Sequence, residues 1–249
     1  MRNSSPRSAA TVAAFAVASM LSLTAVALAS HPDRLVSRTE SLGLSALGRP
    51  LFVLERGDPD ARFKELVVGC IHGNEPAGIQ IAELLESTPL PHETALFVVE
   101  NANPDGVAAN TRTNGHGVDL NRNFPWHWYR HGARGDPHYS GPRALSEPES
   151  RALARLIARV RPSITIWFHQ PLGLVDESGG SVAVERRFAA LVHLPLLRLP
   201  RYGGGATDWQ DHRFPGTTGF VVELAPGPLT RSAASRYARA AVALIRGQG

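Results

Sequence analysis

Within "GCIHGNEPAG" (69–78), His72 and Glu75 stand three residues apart, directly after the apolar run "FKELVVGCI" (63–71). A tight turn can aim that imidazole and that carboxylate at one point. A catalytic zinc needs three protein ligands and one open position. His169, near the end of "SITIWFHQ" (163–170), can supply the third ligand from a distant strand. Glu223 follows "GFVV" (219–222) directly, and a carboxylate there is costly to bury without a partner or a purpose. Taken singly, these signals are weak. The His72–Glu75 stretch alone is an ordinary strand-to-helix turn in which Glu75 favours the helix N-terminus. His169 alone is a hydrogen-bonded core or rim histidine.

A second group lies in "GVDLNRNFP" (117–125), where Asn121 and Arg122 are adjacent, with Arg112 upstream. Arginine forks bind carboxylates bidentately and stay charged when partly desolvated. The plain alternative is a surface loop tied by salt bridges. Cys70, the only cysteine, excludes an internal disulfide. It is most simply a small buried residue, and its closeness to His72 makes it a weak ligand candidate.

The elements that must position these groups follow from pattern. "SLGLSALGRPLFVLERG" (41–57) predicts two short strands around a Gly48-Arg49-Pro50 turn. Apolar runs predict buried strands at 63–71, 94–100, 163–170 and 219–224. Pro76 suits the first turn of a helix reaching about Glu86, with Ile81, Leu84 and Leu85 on its apolar face. "NPDG" (103–106) predicts a turn. Residues 107–145 show no periodicity, and so long an irregular stretch is more often functional than idle. Ser146 and Glu149 predict a capping box opening a helix to Val160. Helices are also expected at 181–193 and from about Thr230 to Arg246, and "YGGGATDW" (202–209) is expected to be a flexible loop. Alternating strands and helices with continuously apolar strands indicate an α/β fold: a mixed, largely parallel central sheet with helices on both faces. His72, Glu75, His169 and Glu223 then fall at the carboxyl ends of strands, where open α/β sheets bind ligands.

The first 29 residues look like a secretory signal. Arg2 and Arg7 precede an apolar run ending in Ala27-Leu28-Ala29, and no acid occurs before Asp33. The alternative is an uncleaved membrane anchor. Cleavage would leave residues 30–249 as a single domain. It would also lower the formal charge from +4 to +2, too little to suggest nucleic-acid binding. The basic residues are scattered arginines with Lys64 the only lysine, which indicates a solvated surface. "ESGGS" (177–181) is not a serine nucleophile elbow, and Gly203–Gly205 do not open a helix as a phosphate loop would. His116, His127, His131 and His138 are most simply solvated, and "WHWY" (126–129) covers the core.

In order along the chain, these residues resemble the zinc carboxypeptidases of the funnelin type. The resemblance implies one zinc ion held by His72, Glu75 and His169, with Asp119 orienting the first histidine. It implies Glu223 as general base and Arg112 as the group that polarises the scissile carbonyl. Asn121 and Arg122 would bind a substrate's terminal carboxylate, and Tyr202 would close over it. Thr207, two residues before Trp209, would lie at the base of the pocket for the released residue. The patterns "HGNEPAG" and "YSGPRALSEPE" resemble those of compact bacterial murein peptide amidases, which release diaminopimelate from γ-D-glutamyl bonds of cell-wall peptides. A peptide substrate, possible peptidoglycan origin, and a secreted or periplasmic location are therefore expected. Nucleic acid is not expected as a partner, nor is a membrane except through an uncleaved leader. Two other readings stand beside this one. One is a zinc deacylase of the succinylglutamate desuccinylase or aspartoacylase kind. The other is a non-catalytic peptide-binding module on the same fold.

Overall fold

The four continuously apolar runs form the centre of one eight-stranded sheet. The structure is a computed structural model that describes Met1 and residues 35–245. Apart from Met1, the expected leader lies outside the described residues. In chain order the strands are β1 (Val36–Leu44), β2 (Pro50–Gly57), β3 (Phe63–Val68), β4 (Thr94–Val99), β5 (Ile164–His169), β6 (Leu174–Asp176), β7 (Leu196–Leu197) and β8 (Thr218–Glu223). The helices are α1 (Ala77–Leu85), α2 (Pro104–Ala109), α3 (Pro148–Val160), α4 (Val182–Val192), α5 (Ala206–Arg213) and α6 (Arg231–Ile245).

The sheet order is β1-β2-β4-β3-β5-β8-β6-β7. The central β4-β3-β5-β8 block is parallel, while the β1–β2, β2–β4 and β6–β8 pairs are antiparallel. Every residue of β4 and β5 is buried, as expected for strands covered on both faces. One face packs Val67, Ile166, Phe168 and Val222 against α1, α4 and α6. The other packs Leu66, Val68, Trp167 and Val221 against α3, α5 and the loop carrying Leu120 and Phe124. Strand alternation explains this split.

Several elements depart from expectation. The first hairpin begins at Val36 rather than Ser41, and β3 ends at Val68, three residues early. "NPDG" is not a free turn. Asn103 caps α2, its side chain accepting from the Gly106 N–H at 2.9 Å, with Pro104 at the first helical position. The Ser146–Glu149 capping box does not form. Glu147 stands at the N-cap of α3 without a side-chain bond to the helix. Ser146 Oγ donates to Glu147 Oε1 (2.6 Å), and Glu149 accepts from the Ala46 N–H and from Asn114. Tertiary partners outcompete the local cap. The "YGGGATDW" loop stops at Gly205, and Ala206 onward is helical. Short β6 and β7 carried too little pattern to be foreseen.

Candidate active site at the strand ends

Strand β3 leads into α1 and on to β4 on one side, while β5 lies on the other. Such a switch point opens a crevice beyond the strand ends. His72 and Glu75 leave β3 there. On β5 and β8, Trp167 and Val221 face the α3/α5 side. Two residues on, His169 and Glu223 therefore face the same side, and they are register partners. The β3–α1 turn is tightly held. Ile71 O accepts from Asn103 Nδ2 (3.0 Å), and the Glu75 N–H donates to His72 O (2.9 Å). Gly73 lies so close to α2 that a Cβ would sit 1.9 Å from the Gly106 carbonyl carbon. Gln170 joins the two strand ends, its side-chain oxygen accepting from Ala77 N–H (3.0 Å) and its own N–H donating to Glu75 Oε2 (3.2 Å).

His72 Nδ1 and His169 Nδ1 lie 3.1 Å apart, and each is close to Glu75 Oε2, at 3.0 and 2.9 Å. Two imidazole nitrogens and a carboxylate oxygen thus form a nearly equilateral triangle. Zinc bonds of about 2.0–2.1 Å in tetrahedral geometry hold ligand atoms about 3.4 Å apart, close to this spacing. His₂Glu is a donor set that zinc hydrolases use, so these residues fit a zinc ion. Among the described residues, His72, Glu75 and His169 form the one cluster of three such donors. Cys70 is not in it. Burial pushes the thiol up to about 12, aided by Glu75, and Sγ donates to His72 O at 3.1 Å. Among the described residues the loop histidines 116, 127, 131 and 138 form no second cluster of this kind.

Asp119 is fully buried and braces the triangle from behind. It accepts from His72 through Nε2 (3.0 Å), from Arg112 Nε (2.9 Å) and from the Asn121 N–H (2.9 Å). Burial works against its charge, but His72, His138 and Arg112 outweigh it and hold the carboxyl well below its usual range. Burial likewise opposes the charge on Glu75, and the two histidines overcome it. Arg112 spans both carboxylates, reaching Glu75 Oε1 at 3.0 Å.

A 3₁₀ turn at Leu120–Arg122, capped by Asp119, aims Asn121 and Arg122 into the same crevice. Asn121 Oδ1 accepts from the Ala206 N–H (2.9 Å) at the start of α5. The Arg122 guanidinium lies 4.8 Å from the centre of the Tyr202 ring, and its buried Nε has no partner. Burial lowers its pKa. Glu223 is half-buried, accepts weakly from the Leu172 N–H (3.4 Å), and is raised by burial.

All ten sequence-predicted residues except Asp119 line one cavity of about 320 Å³; Asp119 stands directly behind it. The cavity also contains Asp176, Arg201 and Asp208, of which sequence reasoning assigned none to the site. The signal available for Asp176 was the one used for Glu223, a carboxylate closing an apolar strand run, here "GLV". Trp126 packs against the buried core, and Trp128 Nε1 donates to Ser140 O, consistent with a covering role.

The sequence profile of the zinc carboxypeptidase family (Peptidase_M14) matches residues 20–172, more than half of the chain. This chain belongs to the zinc carboxypeptidase family. The matched segment contains His72, Glu75, Arg112, Asp119, Asn121, Arg122 and His169, and ends before Glu223. This zinc carboxypeptidase is 33% identical to murein peptide amidase A of Escherichia coli K12 over 175 residues, covering 66% of this chain and 72% of that protein. The murein-tripeptide amidase of Escherichia coli O157 superposes with a TM-score of 0.68 at 29% identity, covering 84% of this chain and 91% of that one. A carboxypeptidase A from Helicoverpa armigera gives a TM-score of 0.71 at 19% identity over 84% of this chain and 69% of that one, a likeness of fold. The family and these relatives make the protein a hydrolase of the zinc carboxypeptidase type.

Proposed function

We propose that this hydrolase releases the C-terminal residue of cell-wall-derived peptides, cutting the γ-D-glutamyl–diaminopimelate bond. The carrying observation is that the Asn121–Arg122 pair, the His72–Glu75–His169 triangle and Glu223 share one cavity. A carboxylate anchor beside a hydrolytic centre selects the end of a peptide over its middle. His72, Glu75 and His169 would hold a zinc ion, which would supply Lewis acidity for activating water near neutral pH and polarising the scissile carbonyl. Glu223 accepts the proton of the attacking water and passes it to the leaving amine. Arg112, fixed by Glu75 and Asp119, points its remaining N–H donors at the oxyanion that develops. Arg122 binds the terminal carboxylate through its guanidinium, and Asn121 supports it. Tyr202, stacked on Arg122, covers the bound end, and Thr207 lines the pocket for the released residue.

The relatives named for murein peptides support the substrate class. Export through a leader cleaved after Ala29 would bring the enzyme to that material. A panel tests the reading: γ-D-glutamyl-diaminopimelate, ordinary C-terminal peptides, and N-acyl-aspartate or N-succinyl-glutamate. Release of diaminopimelate is expected. Cleavage of the last group alone would sink the proposal in favour of a deacylase.

A further inference from the structure

The chemistry proposed for the site leaves three charges on its wall unused. Asp176 belongs to β6, which runs antiparallel to β8 with Leu174 opposite Glu223. Two residues further along β6, Asp176 is about 7 Å from that pair. Arg201 Nη1 pairs with Asp176 Oδ2 at 2.5 Å, and Nη2 donates to the Glu177 carbonyl. These two anchors fix the guanidinium. Its Nε lies 3.9 Å from Asp208 Oδ1, too far for a hydrogen bond. Within the described residues no hydrogen bond reaches the Asp208 carboxylate, although its side chain is only 26% exposed. The cavity therefore presents a fixed guanidinium beside a carboxylate that it meets only as a long ion pair, without a hydrogen bond between them.

We propose that Arg201 and Asp208 recognise an amino-acid head group at the tip of the released residue's side chain. The carboxylate of that head group sits on Arg201 and its ammonium on Asp208, as the side chain of 2,6-diaminopimelate would present them. A side chain ending in an ammonium alone pairs with Asp208 but brings Arg201, whose charge Asp176 already balances, no acceptor for its remaining N–H donor. One ending in a carboxylate alone faces Asp176 and Asp208. Only a side chain carrying both groups is matched at both positions. Three methylenes separate the two α-carbons of diaminopimelate by about 5 Å. With the polar atoms added, that span suits the step along β6 from the Glu223 level to Asp176. This assignment rests on the proposed hydrolysis at a peptide end and names which atoms choose the residue released.

The test uses four γ-D-glutamyl peptides ending in diaminopimelate, 2-aminopimelate, lysine or norleucine, and compares kcat/KM. The wild type should prefer diaminopimelate over each of the others by about 10–100-fold. Asp208→Asn should collapse the preference over 2-aminopimelate, and Arg201→Gln the preference over lysine. Arg201 also neutralises the buried Asp176, so its variant is first checked by thermal melting. If it does not fold, competitive inhibition of the wild type by free diaminopimelate against free lysine replaces it, with diaminopimelate expected to bind at least about tenfold more tightly. Equal cleavage of all four peptides, or an Asp208→Asn loss that is uniform across them, overturns this assignment alone. Hydrolysis of none overturns the proposed function with it.

Discussion

Asp119 shows how one buried residue can organise a site without touching substrate. Its two oxygens hold His72, Arg112 and the Asn121 amide, so the first histidine and the groups proposed as oxyanion donor and carboxylate anchor share one support. Asp119→Asn should weaken zinc affinity by about 10–100-fold, read by competition with a chromogenic chelator; unchanged affinity would show that His72 needs no such orientation. Glu223 behaves differently because it stands outside the triangle. Glu223→Gln should retain zinc and lose about 10²–10⁴-fold in turnover. Near-normal activity in that variant would remove Glu223 as general base. At this scale the sequence was informative because ligand chemistry dictates residue type and because the motifs come in order. Asp208 and Arg201 were not legible, since their meaning depends on β6, an element too short to leave a pattern.

At the scale of elements, the site depends on close backbone approach. The turn after β3 lies against α2, and Gly73→Ala would drive a methyl into the Gly106 backbone. That substitution should lower both Tm and zinc affinity. A variant with wild-type values of both would mean that the turn is free to move. The strands carrying the triangle could be read from their apolar runs, and so could α1, α4 and α6. The capping box at Ser146 and the loop at 202–209 could not be read correctly, because tertiary partners replaced local ones. Elements α4 and α5 also carry Glu185 and Asp211, each raised to about 7 by burial. Both carboxyls stay protonated in the fold at pH values where the unfolded chain has ionised them. Their contribution to stability is therefore present below the ordinary carboxylate range and is lost as pH rises through about 7. Tm should fall between about pH 5 and pH 8, and Glu185→Gln should flatten that fall. An unaltered pH profile in the variant would place the titration elsewhere.

On the scale of the molecule, one sheet does two jobs. Its switch point at β3/β5 gathers the His72–Glu75–His169 triangle, which fits a metal ion, and its β8–β6 pair extends the cavity towards Asp176. The fold class was legible because continuous apolar strands alternating with helices allow few other layer arrangements. The full strand order was not, since nothing in the local sequence says that β8 inserts between β5 and β6. Among the described residues no helix is long and apolar enough to cross a membrane. If the leader directs export, N-terminal sequencing of the mature protein should begin at Ser30; an intact Met1 would contradict cleavage. Zinc-dependent hydrolysis at a peptide end is tested by depleting and restoring the metal. Release of diaminopimelate from γ-D-glutamyl-diaminopimelate is followed before chelation, after zinc removal verified by metal analysis, and after adding back one equivalent of zinc. Turnover, its loss and its recovery are expected in that order. Undiminished turnover by the metal-free protein would contradict zinc-dependent hydrolysis.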